Sequence, residues 1–189
     1  MSLIEQFQFN FLDDSRWQFI VSGLKNTIII TFFAVLLGIF LGFVIAIVRS
    51  THDKTGKLKI LNVICRVYLT VIRGTPTMVQ LLIVYYVIFA TVDPGKIVVA
   101  IIAFGMNSAA YVAEIVRSGI MSIDQGQFEA GRSLGLNYTQ TMTKIILPQA
   151  VKNILPALGN ELIVLLKETS ISGYIGLMDL TLSLIHISE

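Results

Sequence analysis

The sequence predicts an all-α fold, a polytopic bundle of transmembrane helices. Three observations carry that expectation. The 189-residue chain is 54% hydrophobic and only 14% charged, with a mean hydropathy of +0.77, whereas a soluble domain carries about 25% charged residues. Its apolar residues gather into uncharged runs long enough to cross a bilayer. The polar segments between those runs are short, and the first is strongly basic: Arg49, Lys54, Lys57 and Lys59 face Asp53 alone.

The same composition excludes several functions. A net charge of +2 is too small and too dispersed to argue for nucleic acid. Cys65 is the sole cysteine, so neither an internal disulfide nor a Cys-cluster metal site is expected. His52 and His186 lack ligand spacing, and no metal site is expected. There is no G-x-x-x-x-G-K-S/T loop to cradle a nucleotide; if ATP is used, another chain hydrolyses it. The first apolar run starts too late and runs too long for a cleavable signal.

Residues 1–23 set Glu5, Asp13 and Asp14 against Arg16, with Phe7, Phe9, Phe11, Trp17 and Phe19 interleaved. This pattern predicts an amphipathic interfacial segment with aromatic anchors. The first spanning helix is expected over about 26–48. Asn26 to Val48 carries no charge and would measure about 35 Å at ~1.5 Å per residue, against a ~30 Å hydrocarbon core. Its Leu, Ile, Phe and Val residues favour insertion by roughly 0.3–0.6 kcal/mol each, about 5–10 kcal/mol together. Gly38 and Gly42 form a G-x-x-x-G face suited to close packing within the subunit. By the positive-inside rule the Arg49–Lys59 loop is cytoplasmic, which leaves the N-terminus outside.

A second helix is expected over about 60–90 with a kink at Arg73-Gly74-Thr75-Pro76. Pro76 removes a backbone donor and Gly74 weakens the helix beside it; Thr75 or Thr77 can satisfy the freed carbonyls. Arg73 reads either as a snorkelling cation below the kink or as a pathway residue. A turn at Thr91–Gly95 leads to a third helix over about 97–120. Glu114 and Arg117 share one face of it, as a structural ion pair or as pathway residues near the cytoplasmic end. A cytoplasmic region over 121–152 follows. The fourth helix is expected over about 154–166, with Pro156 in its first turn. Glu161 lies within its apolar run, either lining a pathway for a charged solute or satisfied by a neighbouring helix.

The segment from Glu129 to Pro148 is the longest polar interruption. It reads as two short helices around a turn. Asp124 with Gln127, and Asn137 with Gln140, each offer a capping box. Gly135 sits where a helix would end in a left-handed residue. Glu129-Ala130-Gly131, Gly135, Ile145, Leu147 and Pro148 resemble, in order and spacing, the EAA motif of ABC importer membrane subunits. Gly131 stands where that motif usually has Ala. "RGTPTMVQLLIVYY" from Arg73, "NSAAYVAEIVRSGI" from Asn107 and "GNELIVLLKETSI" from Gly159 resemble the branch that takes up polar amino acids. The resemblance covers about Leu24 to Leu180, with 24–180 as the permease domain.

The resemblance implies a type I ABC importer permease. Glu129, Ala130, Gly131, Gly135, Leu136, Ile145, Leu147 and Pro148 would form the loop that docks on the ATPase. Arg73, Thr75, Pro76, Glu114 and Glu161 would be the pathway or gating candidates. The implied partners are a second permease subunit, identical or paralogous, two cytoplasmic ATPase subunits, an extracytoplasmic amino-acid-binding protein and the lipid bilayer. No cofactor is expected in this chain; ATP and Mg²⁺ would be bound by the ATPase. The implied location is the bacterial cell (inner) membrane, multi-pass, with the EAA loop cytoplasmic. That family's core has five spanning helices, and residues 181–189 are too few for a fifth. "LSLIHISE" resembles a translated sequencing adapter, so 181–189 reads as a non-native tail on a chain lacking its last helix. Gly135→Asp is expected to misshape the turn and uncouple transport. The alternatives are an ATP-independent secondary transporter or channel, an ABC permease for another small solute, and an intramembrane enzyme. Ionisable residues near helix ends, and no Ser/His or paired-Asp set at membrane depth, argue against the first and last.

Overall fold

The computed structural model describes residues 16–188. Most of the expected interfacial segment lies outside the described residues; Trp17 to Gly23 are helical. Among the described residues the fold is all-α. The helices are α1 (Trp17–Thr55), α2 (Lys59–Gly74), α3 (Thr77–Ile83), α4 (Lys96–Met121), α5 (Gln125–Ser133), α6 (Tyr138–Thr141), α7 (Leu147–Glu168) and α8 (Leu180–Ser188). π-Helical turns extend α3 through Val84–Ile88 and join α6 to α7 through Met142–Ile146, and a 3₁₀ segment, Thr169–Ile175, follows α7.

α1 runs past both ends of the predicted 26–48 span. Loss of apolar character does not stop a helix whose flanking residues are ordinary helix formers. It ends where Gly56 takes φ +65 and donates its N–H to His52 O at 2.8 Å. α1 packs along α4. A Cβ added at Gly38 would lie 2.7 Å from the Ser108 side chain, and one at Gly42 2.6 Å from Val112 Cγ1. The G-x-x-x-G face therefore serves packing inside the subunit. Above it, Ile30 and Ala34 join Leu81, Val99 and Phe104 in one buried cluster.

The predicted kinked helix over 60–90 is instead two helices turned through 112°. Thr75 is extended, with φ −120 and ψ 145, because the Pro76 ring disfavours a helical residue before it. Thr75 Oγ1 donates to Val71 O at 2.9 Å, as expected of a threonine at a break. Thr77 Oγ1 donates to Glu168 Oε1 at 3.4 Å instead.

α1 and α4 are long and apolar enough to cross a membrane, and α2 with α3 and its π turn forms a third, bent candidate. α7 is not among them by length and composition, since Lys152, Asn153, Asn160 and Glu161 interrupt it. It differs from the predicted 154–166 span by starting at Leu147. Pro148, not Pro156, occupies its first turn, and Pro156 lies inside the helix without ending it. An internal proline removes one backbone bond at roughly 3 kcal/mol. Burial of Ala150, Ile154 and Leu165 along one face offsets that loss, at roughly 1.5–3 kcal/mol for each large apolar side chain. The last part of the predicted 121–152 region thus belongs to α7.

Residues 181–188, set apart in the sequence as a tail, form α8 with Leu180 and lie on the start of α1. Asp179 caps α8, accepting the Thr181 and Leu182 N–H groups at 3.0 Å each. Asn26 Nδ2 donates to Met178 O at 2.8 Å, and Leu180 N donates to Thr27 Oγ1 at 3.2 Å.

Candidate functional site: the elbow and the broken helix

Two constellations hold most of the sequence-selected residues. The first is the elbow of α5 and α6. Asp124 caps α5, but through the Gly126 N–H at 2.6 Å, and Gln127 turns its side chain to Gln149 at 3.4 Å. The expected Asp124–Gln127 capping box is therefore absent, because each partner has another neighbour. The Asn137–Gln140 box is present, with reciprocal bonds of 2.9 Å.

The turn between the helices is a Schellman motif. Gly135, at φ +76, donates to Arg132 O at 2.9 Å and Leu136 donates to Gly131 O at 3.1 Å. An added Cβ at Gly135 would meet nothing within 4 Å. The demand for glycine there is conformational alone, and a β-branched residue meets it worst.

Gly131 is constrained by space. A Cβ there would lie 2.6 Å from Thr141 Cγ2, so the absence of a side chain lets α5 touch α6. Ile145 packs on a core of Val112, Val116, Ile123, Ile146, Ala150 and Ile154, which ties the elbow to the bundle. Glu129 and Ala130 are exposed, Leu136 is half-buried, and Leu147 and Pro148 are exposed at the start of α7. Leu134, which the motif spacing passes over, is 77% exposed and is the most exposed large apolar side chain of the elbow. Its signal in the sequence was an apolar residue in an otherwise polar turn.

The second constellation is the break. Gln80, buried, donates through Nε2 to Ile72 O at 2.7 Å, Thr75 O at 3.0 Å and Thr75 Oγ1 at 2.7 Å. Its Oε1 accepts from Asn107 Nδ2 at 2.9 Å. One amide thus replaces the helical bonds lost at Pro76 and fastens the break to α4. Sequence reasoning missed Gln80, because a lone amide in an apolar run gives no sign of which carbonyls it will meet.

Arg73 and Glu114 come together beside this break, at 3.8 Å, and the Arg73 guanidinium sits 5.7 Å from the centre of the Tyr111 ring. Glu114 also pairs with Arg117 at 2.5 Å and with Arg49 of α1 at 3.7 Å. Arg73, Thr75, Pro76 and Glu114 therefore share one region. Glu161 stands apart on α7. It is 9% exposed and faces the Ser108 hydroxyl of α4, enclosed between helices within this subunit.

Comparison with known proteins gives consistent findings. The profile of the family described as binding-protein-dependent transport system inner membrane component matches residues 34–188, which includes all of α8. A putative glutamine transport system permease of Rickettsia prowazekii is 39% identical over 164 residues, covering 86% of this chain and 73% of that protein. An L-cystine transport system permease of Bacillus subtilis is 36% identical over 167 residues, covering 87% and 68%. A crystal structure of an amino acid ABC transporter with histidines superposes with a TM-score of 0.79 at 43% identity, covering 87% of this chain and 75% of that one.

Proposed function

Because the chain belongs to the binding-protein-dependent transport system inner membrane components, we propose that it is the membrane-spanning permease subunit of an ATP-driven importer for polar amino acids. Its relatives named for glutamine and L-cystine transport, and the structure described with histidines, support that substrate class. The observation that carries the mechanism is the elbow. It is a capped, partly apolar projection packed on the bundle through Ile145 and Ile146.

The chain supplies no nucleotide loop, so partner ATPase subunits bind ATP and Mg²⁺ and dock on the face carrying Glu129, Ala130 and Leu134. Closure of the ATPase pair moves two such elbows together. The helices then switch between inward-open and outward-open packing, because the docked partner contacts the two states differently. A second permease subunit completes the pathway, and an extracytoplasmic binding protein delivers the amino acid. Arg132, Lys144 and Lys152 support a cytoplasmic position for the elbow by the positive-inside rule.

The test is a detergent pull-down from membranes, comparing the parent chain with Leu134→Asp and Gly135→Val. Leu134→Asp changes only the exposed face, and Gly135→Val strains the turn. Recovery of an ATPase with the parent and its loss with both variants, at equal membrane insertion, supports the reading. No ATPase with any form refutes it and directs attention to ATP-independent transport.

A further inference from the structure

Beside the break lies an open pocket of about 600 Å³, within the 300–1,000 Å³ range of small-ligand sites. Arg49, Arg66, Arg73 and Glu114 are among the residues that line it. Three guanidinium groups converge on one carboxylate, since Glu114 pairs with Arg49, Arg73 and Arg117, and Arg66 adds a fourth to the lining. Arg66 makes no ion pair among the described residues and is exposed. The other acidic group felt at Arg117 is Asp53, whose side chain is 57% exposed and sits 3.6 Å from His52. Positive charge is in surplus even when Asp53 is counted.

Arg66 and Arg73 lie on α2, part of the bent span candidate, where uncompensated cations are costly, so the surplus calls for a counter-anion present at all times. A transported solute is present only in passing, whereas a bilayer always offers phosphate headgroups. The surroundings fit a lipid. On α2, Val67 follows Arg66 in sequence and Val71 precedes Arg73 by two residues, and both are exposed; Ile47 of α1, two residues before Arg49, is 61% exposed. A headgroup seated on the guanidinium groups would lay its acyl chains along these residues.

We propose that this pocket binds the phosphate headgroup of an anionic phospholipid, with Arg66 and Arg73 as its principal ligands and Glu114 holding Arg49 and Arg73 in place. Arginine suits this task because its planar donors match phosphate oxygens in pairs. The inference does not depend on which solute is transported.

The test uses the full chain, purified and delipidated in dodecyl maltoside. Phosphatidylglycerol, phosphatidylcholine and inorganic phosphate are titrated separately, read by thermal shift and by native mass spectrometry for retained lipid. Phosphatidylglycerol is expected to raise the melting midpoint and stay bound. Its affinity should fall about fivefold for each of Arg66→Gln and Arg73→Gln. Arg66→Gln keeps the test sound should Arg73→Gln misfold, because Arg66 supports no ion pair. Equal affinity in the parent and Arg66→Gln overturns the proposal. So does phosphatidylcholine binding as well as phosphatidylglycerol, or a comparable loss in Lys144→Gln/Lys152→Gln, which would mean general charge attraction. Protection by inorganic phosphate at the same concentration would make this a soluble-anion site and overturn the lipid assignment.

Discussion

Gly131→Ala probes how tightly the elbow is built. The new Cβ would lie 2.6 Å from Thr141 Cγ2, 2.8 Å from its Oγ1 and 3.2 Å from its Cβ, where ordinary carbon contacts are about 3.5–4.0 Å. Thr141 cannot swing aside. It is buried, β-branched and bonded through Oγ1 to Asn137 O at 3.0 Å. α5 and α6 must therefore part, and overpacking of this kind costs about 1–3 kcal/mol. Thr141→Ala removes both close atoms and leaves only the 3.2 Å contact. Alone it loses a hydrogen bond and a buried methyl, about 1–2 kcal/mol. The double variant should be more stable than the two singles predict by about 1–2 kcal/mol, since neighbours do not add. The assay is thermal denaturation of the four detergent-solubilised forms followed by circular dichroism. A Gly131→Ala chain as stable as the parent, or two single effects that simply add, would refute the reasoning.

Three further outcomes are expected. Gly42→Val should force α1 from α4, because even the first added carbon lies 2.6 Å from Val112 Cγ1 and 3.0 Å from Ala109 O; a lower melting midpoint and faster proteolysis, by at least 1–3 kcal/mol of stability, are the readouts. Gln80→Leu should leave the Ile72 and Thr75 carbonyls without their donor, at about 1–3 kcal/mol for each buried group so stranded. Gln80→Glu should also lose stability, because an ionised carboxylate cannot donate and a protonated one has a single O–H where the amide has two N–H groups; a Glu variant with parental stability in the same denaturation assay would count against the role given to the amide.

What the sequence made legible was local and periodic. The left-handed glycine at 135, the Asn137–Gln140 box and the apolar span from Lys96 to Met121 depend on neighbours within a few residues, and each could be read directly. The Asp124–Gln127 box failed because Gln149, far along the chain, competes for Gln127. The start of α7 was misplaced because Pro156 resembles a first-turn residue until the burial of its helix face is known. The depth of the break was underread for a similar reason. A 112° turn is sustained by Gln80 and Asn107, whose partnership joins two helices. Thr141 as the reason for glycine at 131 is equally a tertiary fact. At the site, the Glu114–Arg117 pair followed from helical spacing, but its extension to Arg49 and Arg73 required the packing of α1 and α2 on α4.

The uninterrupted winding from Tyr138 through the π turn to Glu168 has a mechanical consequence. At ~1.5 Å per residue it is a lever roughly 45 Å long, with one arm in the elbow and the other beside Thr77 of the broken helix. Pivoting where Ile146 and Ala150 meet the core, it would turn a tilt of a few degrees at the elbow into a displacement of a few ångströms at Glu168. The Thr77–Glu168 hydrogen bond is then the point where that displacement is delivered. A force applied at the elbow would reach the break through one continuous helical member.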